Sequence, residues 1–131
     1  MADYTIKNLK DEVENMAPKF GLAPNMEAHF ARDALECENM GLSYQRLAAN
    51  ARSPFGHRHE EQEEVYVIVD GTGRVKLDDE VRELKPWDAV RVAKDTVRCF
   101  EAGSEGLALI AFGAPRTDPQ DAEMIQNWWT D

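Results

Sequence analysis

Between Glu27 and Phe112 the chain is cut into short apolar segments by polar and glycine-bearing turns. Glu27 to Asp33, Leu42 to Ala48, Glu64 to Val69, Arg74 to Leu77, Val81 to Leu84, Ala89 to Ala93, Val97 to Glu101 and Leu107 to Phe112 each read as a strand. Asp70-Gly71-Thr72-Gly73 reads as a hairpin turn, and Asp78-Asp79-Glu80 and Lys85-Pro86-Trp87-Asp88 as further turns. Gly103 and Gly106 separate the last two strands. Closely spaced short strands with turns between them predict an all-β sandwich or barrel.

The two ends differ from this pattern. Leu9, Val13, Met16 and Phe20 recur near helical spacing, with Asn8 as an N-cap and Gly21 as a stop. Pro18 limits a helix there to about two turns. At the other end the signals predict a helix over 118–129. Asp118 caps it, Pro119 takes its first position, and Asp121 and Glu123 favour its positive end. Met124, Ile125, Trp128 and Trp129 supply an apolar stripe that would cover the barrel or an edge strand. The expected architecture is one domain, 1–131, with a β core over 27–113, a short N-terminal arm and a C-terminal helix.

A chain of 131 residues suits one core rather than two. Its net charge of -10 repels phosphate backbones and anionic lipid surfaces, so neither nucleic acid nor membrane is expected as a partner. The N-terminal stretch MADYTIKNLKDEVEN is too polar and acidic for a secretory signal. Cys37 and Cys99 share no tight motif and are expected as free thiols in a cytoplasmic protein.

The chemistry concentrates in HRHEEQEEVYVIVDG, His57 to Gly71. Residues two apart on an extended backbone share a face, so His57 and His59 aim at one spot. Two imidazoles and a carboxylate converging there are the donors of a divalent-metal site. Tyr66 and Ile68 share the parity of Glu64 and should face the same cavity. Tyr44 and Arg46 could line it from a facing strand, with a surface position the better one for Arg46, and His29 reads as a surface or edge histidine. Glu60 to Glu63 read as a solvated loop in which Gln62 could fold inward.

The spacing of His57, His59, Glu64 and Gly71 resembles the first motif of the cupin superfamily: two histidines one residue apart, a glutamate, and a glycine after six more residues. Ala51 stands where that motif opens with glycine. The frame LKPWDAVRVAKDTVRCFEAG is similar to the second cupin motif in spacing, with Asp88 and Phe100 in keeping. Trp87, Ala93 and Asp95 stand where glycine, proline and glycine are usual, and Ala102 where asparagine is. Arg98 stands where the third histidine ligand is usual. The resemblance covers about residues 42 to 113. It implies a small jelly-roll barrel, the double-stranded β-helix, and a homodimer, since many such proteins are dimers.

The resemblance implies His57, His59 and Glu64 as ligands of one divalent transition metal: iron, manganese, zinc or nickel. Arg98, Tyr66 and Phe100 are then the candidate ligand-binding residues. Arg98 keeps its charge and offers a fixed fork of donors to a carboxylate or phosphate. A second reading needs no metal: Arg98 pairs with Glu64, and the histidines are hydrogen-bonded lining residues. The sequence therefore supports a protein that holds a small polar or anionic ligand in the barrel, with or without a metal. A metal-dependent oxygenase or isomerase of small molecules is the alternative.

Overall fold

The computed structural model describes residues 1–116, 118 and 120–131. Its strands are β1 (Met26–Phe30), β2 (Gly41–Leu47), β3 (Phe55–His59), β4 (Glu63–Leu77), β5 (Glu80–Leu84), β6 (Ala89–Val92), β7 (Arg98–Ala114) and β8 (Ala122–Gln126). Their pairings are antiparallel. β4 and β7 are the spine and pair along most of their length. β7 also carries β2 and, through it, β1, and it meets β3, which pairs with β8. β4 carries β5 and β6. The sheet curls so that one face of the spine turns inward, where Tyr66, Ile68, Val75, Phe100, Leu107 and Leu109 form the core. Burying side chains of this size contributes about 1.5–3 kcal/mol each.

The glycines around residue 71 do not make the expected hairpin. β4 runs straight through Asp70-Gly71-Thr72-Gly73, and the pairing with β7 shifts register there. Gly71 has φ +74°, and a Cβ at that position would collide with the carbonyl of Gly106. Left-handed glycines serve a turn or a bulge equally well. The pairing partner decides between them, and here β7 remains opposite on both sides. Gly103 and Gly106 likewise lie inside one long strand rather than between two.

The N-terminal helix is smaller than expected. Asn8 does cap a turn, since its Oδ1 accepts the N–H groups of Lys10 and Asp11, and Glu12 Oε1 accepts the N–H of Asn8. Among the described residues the only helix that follows is a 3-10 turn, Ala17–Phe20, ended by Gly21 at φ 72°. The arm instead lies along β1, with Asn15 bridging to His29.

At the C-terminus the expected helix over 118–129 is replaced by β8. Pro119 lies outside the described residues. Asp118 keeps its capping role but closes a turn, accepting the N–H of Gln120 at 2.8 Å. β8 pairs with β3 from Phe55↔Gln126 to His59↔Ala122. The apolar residues Met124, Ile125, Trp128 and Trp129 suit a helical stripe, yet Ala122 and Met124 also alternate as a strand does. An unpaired edge at β3 tips the balance, because pairing satisfies a row of backbone donors and acceptors.

Candidate functional site

Strand pleat brings the candidate residues together. His57 and His59 share the inner face of β3, and Glu64 and Tyr66 share that of β4. Arg98 is the cross-strand partner of His57 in the β3–β7 register. All five, with Phe100, line one cavity of ≈ 670 Å³.

The focus is a single atom, Glu64 Oε1. Tyr66 donates its hydroxyl to it at 2.6 Å. His59 Nε2 lies 2.9 Å away and His57 Nε2 3.2 Å away. Arg98 Nη2 stands at 3.9 Å. Burial opposes the charge on Glu64, but hydrogen bonds from His57, His59 and Tyr66 outweigh it and hold the carboxyl well below the usual range. Burial also lowers the basicity of His57, beyond what Glu64 restores. The Tyr66 hydroxyl is pushed up by burial and by the charge of Glu64, so it stays a donor. The site thus presents an ionised carboxylate, a neutral imidazole and a protonated phenol within reach of one point.

Arg98 is the largest fully buried side chain. Its Nη1 donates to the carbonyl of His57 and its Nη2 to that of Ala93, each at 3.3 Å. Its Nε, buried as well, has no partner among the described residues. Phe100 packs its ring 4.8 Å from that of Tyr66 and belongs to the core.

The structure adds a residue that sequence reasoning placed elsewhere. Asp121 Oδ2 lies 3.1 Å from His59 Nδ1, on the far side of the ring from Glu64. The same carboxylate accepts the N–H groups of Glu60, Glu61 and Gln62. Burial opposes its charge, but the hydrogen bonds from Gln62, Glu61 and His59 hold it below its ordinary value. Glu60, Glu61 and Glu63 are exposed, as expected of a solvated loop, while Asp121 ties down its backbone and Gln62 folds inward into the cavity wall, its Oε1 without a partner among the described residues.

Two other expectations change, for Tyr44 and for His29, and the one for the cysteines holds. Ser43, Gln45 and Leu47 face the cavity, so Tyr44 and Arg46 lie on the outer face of β2. His29 lies on the edge strand β1, as one of its two readings had it, but is only 4% exposed, because the arm covers it and its Nδ1 lies 2.8 Å from the carbonyl of Val13. Cys37 and Cys99 are both free, with Cys99 buried beneath Trp129.

The donor set fits a divalent metal. One ligand atom from each of His57, His59 and Glu64 lies within 4.8 Å of the others. Two ligands about 2.1 Å from one ion sit about 3 Å apart, close to the 2.9 and 3.2 Å separations from Glu64 Oε1. An imidazole with a single N–H can donate to only one of the two carboxylates that flank His59, Glu64 and Asp121. A ring nitrogen that carries no proton is the atom a metal ion would take as its ligand, with the other N–H fixed by a carboxylate. Arg98 is the one group that opposes a metal there: two unit charges 4 Å apart interact by about 4 kcal/mol at an effective dielectric of 20, twice that for a dication.

Residues 43–112 match the cupin-domain family, Cupin_2. The chain belongs to the cupin family. A relative, an uncharacterised protein of Methanocaldococcus jannaschii, is 26% identical over 128 residues, 93% of this cupin and 98% of that protein. Among solved structures, a cupin protein from Bacteroides fragilis superposes with TM-score 0.71 at 24% identity, covering 92% of this chain and 91% of that one. The Streptomyces nucleoside dehydratase Pac13 superposes with TM-score 0.70 at 13% identity, covering 96% and 92%, and it is similar in a structure with uridine. These likenesses show the fold. The cupin match stops before β8, so Asp121 stands outside the family segment whose histidine it touches.

Proposed function

We propose that this cupin encloses a small polar or anionic molecule in its barrel, beside a divalent transition metal held by His57, His59 and Glu64. The convergence of two imidazoles, a phenol and a guanidinium on Glu64 Oε1 carries this reading. Arg98 and Glu64 offset each other, so an excess positive charge that would draw an anion comes from the metal. When bound, that ion supplies a Lewis acid for a ligand oxygen. Tyr66, whose proton is held by Glu64, offers the ligand an acceptor oxygen, Phe100 backs its face, and Arg98 stands beside Glu64 with its buried Nε unpartnered among the described residues. A structure of the same fold solved with uridine supports a small-molecule occupant.

A second reading has its own observation. A protonated Tyr66 beside an ionised Glu64 and a neutral His57 can give and take protons at neighbouring points. That set suits an isomerase of small molecules, or an oxygenase when the metal is iron.

Elemental analysis of the purified protein, with thermal shifts on adding manganese, zinc, nickel or ferrous ions, tests the metal. About one ion per chain, lost in His59→Ala, is expected. Protein free of metal and unmoved by any of these ions would overturn the reading.

A further inference from the structure

The cavity has two chemically different ends. The inner end is the polar cluster around Glu64. Toward solvent the lining becomes apolar, with Met26 and Phe55 half-buried and Phe20, Phe30 and Met124 more open. Phe20 is 58% exposed, Phe30 50% and Met124 53%. The two phenylalanine rings meet edge-to-face, 6.3 Å apart. They come from separate elements, the 3-10 turn and β1, while Met124 comes from β8. Apolar side chains scattered singly on a surface need no explanation, but these line one opening. A ligand that used only the inner end would leave this surface wet. Polar groups, among them Asp33, Arg116 and Asp118, also line the cavity.

We infer that the ligand is amphipathic: an oxygen-rich head, such as a carboxylate, at the Glu64 cluster and an apolar body of several carbons against Phe20, Phe30 and Met124. The volume of ≈ 670 Å³ accommodates a molecule of that size. This rests on the small-ligand reading above and adds the body of the ligand to its head.

The test is calorimetric titration of the purified, metal-analysed protein with straight-chain carboxylates from two to ten carbons, below their micelle concentrations, with the matching alcohols in parallel. Affinity is expected to rise up to about fourfold per added methylene, as each leaves water. The alcohols should bind at least tenfold more weakly. Phe20→Ser and Phe30→Ser alter half-exposed side chains and should leave the melting temperature nearly unchanged. Each should flatten the chain-length dependence while sparing acetate. If acetate binds and lengthening the chain gains nothing, the inference falls and the small-ligand reading stands. If alcohols bind as well as acids, the head is not recognised and the amphipathic assignment falls. If no acid of any length binds, the amphipathic assignment falls, and the small polar-ligand reading is decided by the metal test above.

Discussion

His59 is held between two carboxylates: Glu64 Oε1 lies 2.9 Å from its Nε2 and Asp121 Oδ2 3.1 Å from its Nδ1. The first lies on β4 and the second precedes β8, so the ring is oriented by both sides of the site. Replacing Asp121 by Asn keeps the shape and weakens the acceptor. Zinc affinity, read by competition with a chromophoric chelator, should fall about 10–100-fold. Affinity within twofold of wild type would mean that Asp121 serves the loop Glu60–Gln62 and not the imidazole.

Arg98→His exchanges a buried cation for a donor at the position where the second cupin motif carries its third histidine. Metal affinity should rise about tenfold or more, because a repulsive charge becomes a ligand. The same chelator competition measures it. An unchanged constant would show that Arg98 contributes no field at the metal position, and that Glu64 already screens it.

Acid should destabilise the fold in two stages. His57 is less basic folded than unfolded, so its contribution is complete above about pH 6.5 and declines as pH falls below that value. Glu64 is more acidic folded than unfolded, so its contribution is complete above about pH 4.3 and is lost as pH falls further. Melting temperature against pH, with the metal chelated, should decline gently below about pH 6.5 and steeply below about pH 4. Glu64→Gln should flatten the steep limb; an unaltered limb would assign acid lability to other carboxylates.

Trp129 closes the far side of β7. Its indole N–H reaches Cys99 Sγ at 3.0 Å, and the guanidinium of Arg52 lies 4.4 Å from its ring. Trp129→Ala should cost about 2–3 kcal/mol. It should also expose Cys99, whose thiol burial makes less acidic, so labelling by a thiol reagent should accelerate at least tenfold. Equal labelling rates would show that the tail does not shield this thiol.

The two histidines, Glu64 and Tyr66 were legible because each pair lies on one strand, where a two-residue spacing fixes a shared face. Arg98 was legible from its place in the motif frame. The parity of β2 misled, because alternation separates two faces without saying which is inside; the polar pair Ser43 and Gln45 took the cavity side. The glycines at 71 and 73 allowed a hairpin or a bulge with the same residues.

Local chemistry along the chain was enough for an all-β fold, for the cupin motif and for three candidate metal ligands, since strand period and motif spacing act over a few residues. Asp121 needed the folded molecule. It stands 62 residues from His59, and its signals read as a helix start. Only the pairing of β8 with the open edge of β3 carries that carboxylate to the back of the imidazole, because edge pairing satisfies backbone groups that a helix at the surface would have left on β3.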